Sequence, residues 1–179
     1  DEAIRRRIEP LALPPGYTSE INLQAEAWVR SVADVLEQGV MLLVDYGFPR
    51  AEFYHPQRSD GTLMCHYRHR AHDDPLTLVG LQDITAHVDF TAIAEAGTET
   101  GLSLLGYTSQ AAFLIGCGLE QLMSASDPED ARVHLGLTQQ VKKLTSPHEM
   151  GELYKVIALG RGIQEPFPGF ADHDRRGRL

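Results

Sequence analysis

Cysteine is scarce: the chain carries only Cys65 and Cys117. Two cysteines exclude a disulfide framework and a zinc site built from cysteine alone, and they suit a reducing compartment. Positive charge is also short, with 16 Lys and Arg against 25 Asp and Glu and a net charge of −9. That excludes a broad phosphate-neutralising face, and with it a duplex nucleic-acid binder. No apolar run approaches the roughly 18 residues that suggest a membrane span. No G-x-G-x-x-G loop follows a strand-like run, and Gly116-Cys-Gly118 lies inside an apolar, helix-like stretch. No internal repeat is visible. There is no visible signal peptide, and the chain starts at Asp1 instead of a methionine. The expectation is a fragment whose upstream part, with any targeting segment, is missing.

What is present is 179 residues with 42% hydrophobic and 23% charged content. That is the size and balance of one globular domain, or part of a larger one. Arginines gather at both ends, at Arg5, Arg6, Arg7 and at Arg175, Arg176, Arg178, and read as solvated tails. Residues 1–18 form a lead-in that ends in the turn-rich Leu13-Pro-Pro-Gly16. Ser19 is the expected N-cap of a helix over Asn22–Gln38, closed by Gly39, because Leu23, Ala27, Trp28, Val32, Val35 and Leu36 recur at helical spacing.

Val40–Val44 is apolar throughout, the pattern of a central parallel strand covered on both faces. Helix, tight glycine, buried strand and Asp45-Tyr46-Gly47 make one αβ unit of a doubly wound sheet. Ligands of such sheets meet the carboxyl ends of the strands, which places Asp45 and Tyr46 at a functional position. Their structural alternative is a turn cap for Asp45 and loop packing for Tyr46.

From Phe48 to Leu78 the chain is irregular and histidine-rich, as a lid or binding loop would be. Later elements follow as a short helix over Thr91–Ala96, with Asp89 as its N-cap, and a strand over Leu102–Thr108. An apolar helix from Ala111 to Met123, a polar loop over Ser124–Asp130 and a helix over Ala131–Leu144 come next. A strand over Glu152–Leu159 ends at Gly160, before a tail over 161–179. Phe113, Leu114, Ile115 and Leu119 are expected in the core, and Lys155 on a solvated edge. These few strands cannot cover both faces of a doubly wound sheet, so about half a sheet, including its cofactor loop, is expected upstream of Asp1.

The stretch "GLQDITAHVDF", residues 80–90, alternates polar and apolar side chains from Asp83 to Phe90. In a strand Asp83, Thr85, His87 and Asp89 share one face; in a helix Asp83 and His87 lie one turn apart. Either way an acid falls near an imidazole. Such a pair can act as a tuned general base, or its carboxylates can orient a guanidinium fork. A metal could instead join His87 to His66, His69 or His72 and an aspartate. Arg68 and Arg70 among those histidines oppose a cation. The structural alternative has Asp83 and Asp89 capping turns or a helix while His87 bonds within a loop. Gln110, at a strand–helix junction, caps the helix or contacts substrate.

The residues in this order also carry a family resemblance. Leu43-Val-Asp-Tyr-Gly47, Gly61-Thr-Leu63, His66-Tyr-Arg-His69, Gln82-Asp-Ile-Thr-Ala-His-Val-Asp-Phe90, Gln110-Ala-Ala-Phe-Leu114 and Met150-Gly-Glu152 resemble the C-terminal half of the MidA family of S-adenosylmethionine-dependent methyltransferases. The resemblance runs from about Pro14 to Gly160. It implies the C-terminal part of a class I, Rossmann-like α/β fold over residues 19–160, with 48–90 an inserted substrate or lid region. Val40–Tyr46 becomes its fifth strand, and Leu102–Thr108 and Leu153–Leu159 its antiparallel sixth and seventh.

The resemblance further implies S-adenosylmethionine as cofactor, bound by residues upstream of Asp1, and methyl transfer to an arginine of a protein. For mitochondrial members the resemblance implies a part in respiratory complex I assembly, with a respiratory-complex subunit as a candidate protein substrate. Asp83, His87 and Asp89 are then the catalytic candidates, with Asp45, Tyr46, His69, Thr85 and Gln110 facing substrate and no metal. The implied compartment is cytoplasm for a bacterial member and mitochondrial matrix for a eukaryotic one. Two other classes remain open at this point: a non-catalytic recognition and assembly module, and a metal-dependent hydrolase built on the histidine loop.

Overall fold

The computed structural model describes residues 2–125, 131–164 and 166–179. Its lead-in is folded: α1 spans Glu2–Ile8 and a 3-10 turn follows at Glu9–Leu11. Asn22, not Ser19, caps α2 (Leu23–Val35), its side chain accepting from the Ala25 N–H at 3.0 Å. Helix α2 turns Val29, Ala33 and Glu26 inward. Arg7 forks onto Glu26 with contacts of 2.6 and 2.8 Å. Burial pushes the Glu26 carboxyl up, but the hydrogen bonds and positive charges of Arg7 and Arg30 together outweigh it and hold the group below its ordinary value.

Strand β1 (Gly39–Phe48) and the short helix α3 (Arg50–Phe53) come next. Strands β2 (Met64–Tyr67), β3 (Arg70–His72) and β4 (Asp83–Thr85) then build a small sheet in the order β3-β2-β4. The chain returns through β5 (Val88–Asp89), α4 (Phe90–Glu99) and β6 (Ser103–Ser109). Helices α5 (Gln110–Gly116), α6 (Leu119–Ser124), α7 (Ala131–Thr145) and α8 (Met150–Leu153) precede the last strand, β7 (Tyr154–Arg161). The main sheet has the order β5-β1-β7-β6. Val29, Ala33, Met41, Phe90, Ile93, Tyr107, Ile157 and Leu159 form the main core between α2, α4 and this sheet.

Several expectations are corrected. β1 is interior to the sheet, but its long partner is antiparallel, from Gly39↔Arg161 to Tyr46↔Tyr154 on β7. Parallel pairing is confined to Gly47↔Val88 and Phe48↔Asp89 on β5. The apolar run is also not covered on both faces. Met41 and Leu43 pack into the core, while Leu42 and Val44 on the alternate face remain 43% and 49% exposed. The helix expected over Ala111–Met123 breaks where Gly118 takes a left-handed φ of 90°, and Ile115 lies exposed instead of in the core. Glu152 and Leu153 form a helical turn before the strand begins. Lys155 is only 7% exposed, because β7 lies between β1 and β6 and is not an edge. The polar loop expected over Ser124–Asp130 lies, from 126 on, outside the described residues.

Neither arginine cluster is a loose tail. Arg175 pairs with Glu152 at 2.9 and 3.1 Å, and Arg176 donates to the Leu104 carbonyl at 2.7 Å. The backbone of the terminal segment lies along β6: Arg175 N donates to Tyr107 O, and Thr108 Oγ1 to His173 O, both at 2.6 Å. Phe170 is buried against Leu105, Val156 and Ala158.

Candidate functional site

Asp83–Phe90 is not one strand. Thr85 ends β4, paired with Met64, and Val88 joins the main sheet beside Gly47. Ala86 and His87 bridge the two sheets. A Cβ at Gly47 would lie 2.2 Å from the Val88 carbonyl oxygen, so only glycine permits this approach. His87 is thereby held at the seam. Its backbone N–H donates to Thr62 Oγ1 at 2.9 Å, and its ring stacks on Phe48 with centroids 5.1 Å apart at 17°. Tyr46 meets that ring edge-on at 5.3 Å, and meets Tyr154 edge-on at 5.5 Å.

A cavity of about 320 Å³ opens at this seam. Its floor comes from the main sheet and α8 as Tyr46, Leu153 and Tyr154, with His87 from the bridge. Thr62, Met64, His66, Asp83 and Thr85 form its roof. Strand alternation explains the roof. Met64↔Thr85 and His66↔Asp83 are register pairs on one face, whereas Cys65↔Ile84 turn to the other. The acid beside a histidine is therefore realised, but across two strands and with His66. Asp83 and His87 form no hydrogen bond, because the two sheets separate them after Thr85.

Of the eight positions anticipated, Tyr46, Asp83, Thr85 and His87 line this cavity together. The other four do not. Asp45 projects to the opposite face, lines a separate groove with Trp28 and Leu42, and accepts from the Tyr46 N–H at 2.8 Å. His69 occupies the β2–β3 turn with a φ of 65°. Gln110 is buried and donates to the Leu144 carbonyl at 2.9 Å. Asp89 is the helix cap: one oxygen accepts from Thr91 N and Ala92 N at 3.0 and 3.2 Å, the other from Arg50 Nε at 3.3 Å. Burial raises its carboxyl, with Arg50 and the cap N–H pulling the other way. Met64, Leu153 and Tyr154 are cavity residues that the sequence did not single out; Thr62 entered only within the family motif Gly61-Thr-Leu63, and His66 only within its motif and as a metal candidate. The alternation Met64-Cys-His-Tyr67 opposite Asp83-Ile-Thr85 was the available signal, weakened by strands of only three and four residues.

Glu20 locks the roof in place. Its carboxylate accepts from Thr62 N at 2.9 and 3.0 Å and from Leu63 N at 2.8 Å, and the Thr62 hydroxyl donates to it at 3.1 Å. Gly61, at φ +81°, completes this backbone nest; a Cβ there would stand 2.4 Å from Glu20 Oε1. A second cavity of about 280 Å³ lies behind the small sheet. Its charges are already matched, Arg7 with Glu26, Glu20 with the nest and Asp89 with Arg50. The front cavity differs. Thr62 and Thr85 spend their hydroxyls, on Glu20 and on the Met64 carbonyl. Among the described residues, no hydrogen bond or ion pair uses the side-chain polar atoms of Asp83, His66, Tyr46 or Tyr154.

The His87 imidazole is held below its ordinary value. Burial lowers its imidazole most, and Arg58, 3.9 Å from the Phe48 ring centroid, lowers it further. The unfolded state then binds more protons than the native one in acid. The His87 contribution is fully present above an unfolded value of about 6.5 and is lost as pH falls toward the depressed native value. In urea unfolding series, His87→Gln should lose stability less steeply than wild type as pH drops below about 6.5. Equal slopes would place the imidazole in water.

Among the described residues no group of three or more His, Cys, Asp and Glu is arranged to hold a metal, and no helix is long and apolar enough to cross a membrane. Two solved proteins of Burkholderia thailandensis share this architecture. One is 49% identical with a TM-score of 0.95, covering 99% of this chain and 48% of that one. The other is 50% identical with a TM-score of 0.94, covering 99% and 46%, and was solved bound to S-adenosyl-homocysteine. The Drosophila melanogaster "Protein arginine methyltransferase NDUFAF7 homolog, mitochondrial" is 30% identical over 83% of this chain and 34% of its own length. The Danio rerio "Protein arginine methyltransferase NDUFAF7, mitochondrial" is 28% identical over 78% and 32%. The chain thus spans about a third of these curated relatives and just under half of the solved ones. Residues 1–108, more than half of the chain, match the family model described as "Putative S-adenosyl-L-methionine-dependent methyltransferase", and to that family the chain belongs.

Proposed function

We infer that this chain is the acceptor-side part of an S-adenosylmethionine-dependent methyltransferase acting on an arginine of a protein. One observation carries the reading: the seam between the two sheets gathers an uncommitted carboxylate, two imidazoles and two phenol rings around one cavity. A guanidinium suits those walls, since carboxylates match its donor fork and aromatic faces attract its charge. The names of the curated relatives, both protein arginine methyltransferases, support the acceptor class. Their mitochondrial names support a mitochondrial location for a eukaryotic bearer of this chain, and a respiratory-complex subunit is the protein substrate to try first.

The described residues do not fit the cofactor itself. They include no strand, glycine-rich turn and helix in succession, and the backbone nest at Gly61–Leu63 is already filled by Glu20. No step is therefore derived through the donor, and the roles below belong to acceptor-side residues alone.

Incubating the enzyme with methyl-labelled S-adenosylmethionine and an arginine-containing peptide, then hydrolysing the peptide, should yield labelled methylarginine. Label on lysine, or none on the peptide, overturns the reading. Absence of S-adenosylmethionine binding in isothermal titration would favour a non-catalytic recognition module.

A further inference from the structure

We propose that His66 is the residue that takes the proton from the methyl acceptor, with Asp83 holding the acceptor beside it, and that His87 is a fixed wall. The proposal rests on the methyltransferase reading above and assigns the acid–base work within that same site.

Geometry separates the two histidines. His66 and Asp83 face each other across β2 and β4 as a register pair, and both line the cavity. Side chains so placed have Cβ atoms about 4.5–5.5 Å apart. No hydrogen bond or ion pair joins them, and neither spends its polar atoms elsewhere in the described residues. An acid and an imidazole side by side, both uncommitted and both facing a cavity, can grip one ligand together. The carboxylate accepts two N–H bonds from a guanidinium fork, and the imidazole accepts a third from the same nitrogen plane.

His87 is placed differently. Its Nδ1 is buried without a partner, its ring is pinned against Phe48 and Tyr46, and its backbone is tied to Thr62. Burial, the Arg58 guanidinium and the Lys155 ammonium all disfavour a positive charge on it. A group held that way is a poor proton sink. His66 instead lies exposed on the hairpin, with the Asp83 side chain opposite it.

The proton balance is simple. The bound donor would supply the methyl group from its sulfonium, leaving as a neutral thioether with the electron pair of the methyl–sulfur bond on sulfur. As the acceptor nitrogen forms its new bond to carbon, one of its N–H bonds breaks and the electron pair of that N–H bond stays on nitrogen. The proton forms a new N–H bond on the His66 imidazole, and bulk water removes it from this exposed hairpin residue. The guanidinium keeps a single positive charge, which Asp83 continues to balance.

The test compares pH profiles of methyl transfer to an arginine-containing peptide for the wild-type enzyme and for His66→Gln, His87→Gln and Asp83→Asn. Wild-type kcat/KM should rise with pH through the range in which imidazoles titrate. His66→Gln should flatten that limb and lower kcat about 100-fold with little change in KM. Asp83→Asn should raise KM roughly tenfold or more. His87→Gln should keep the limb. If His66→Gln keeps the wild-type limb while His87→Gln abolishes it, the assignment is overturned. A wild-type enzyme that transfers no methyl group overturns this inference and the reading beneath it. Transfer to arginine with an unchanged profile in His66→Gln overturns this inference alone.

Discussion

Arg50→Ala should lower the unfolding free energy by about 3 kcal/mol, because it strands a buried carboxylate. Arg50 leaves α3 and reaches across to α4, where its guanidinium donates to Asp89 at 3.3 Å and to Glu95 at 2.5 and 2.7 Å. The Arg50 and Asp89 side chains are 18% and 10% exposed, while Glu95 is 46% exposed. Most of the loss therefore comes from Asp89, and the Glu95 contact adds less than about 1 kcal/mol in screening solvent. Asp89→Asn should cost less, since asparagine still caps the helix and removes the charge that needs a partner. The double variant Arg50→Ala with Asp89→Asn should be more stable than the two single losses sum to, because no buried charge is orphaned. Urea unfolding measures all four proteins. A loss under about 1 kcal/mol for Arg50→Ala would mean that Asp89 finds water on its own.

Glu20→Ala should act on stability and site together. Its carboxylate satisfies two backbone N–H groups and the Thr62 hydroxyl, and leaving such donors unpaired costs about 2–3 kcal/mol. Thr62 also accepts from His87 N, so the same change frees the bridge between the sheets. Amide hydrogen exchange should accelerate at Thr62, Leu63 and His87 first, well before the α2–α4 core. Uniform acceleration across the chain would show a global destabilisation with no local lock. Glu20→Gln, which keeps an acceptor oxygen, should fall between alanine and wild type.

Some of this was legible in the sequence and some was not. Helical spacing located α2, whose Val29 and Ala33 stripe is buried, and helices were also expected over Thr91–Ala96 and Ala131–Leu144, where α4 and α7 stand. Asp89 was readable as a cap from its place before an apolar run. The apolar run in β1 told of burial but not of partner direction, since Val40–Val44 would look the same beside a parallel or an antiparallel neighbour. Lys155 misled for a related reason: a lysine advertises an edge, yet β7 is inserted between β1 and β6 and the ammonium folds back to the Glu152 carbonyl. The alternation over Asp83–Phe90 suggested one strand. It is two short ones in different sheets, and alternation cannot report which sheet a residue joins. That is why Asp83 and Tyr46 came together as hoped while the imidazole beside Asp83 turned out to be His66. Glu20 was invisible because its value lies in three donors some 40 residues away.

Met64 offers a direct report on whether the seam cavity receives a guanidinium. It lines that cavity, whereas Met41, another of the four methionines, is buried in the core. With methionine methyls labelled with carbon-13, titration with methylguanidinium should shift the Met64 resonance saturably and leave Met41 still. Asp83→Asn should abolish the shift. A Met64 resonance that does not move, or one that saturates equally in Asp83→Asn, would contradict the placement of the acceptor between the two sheets.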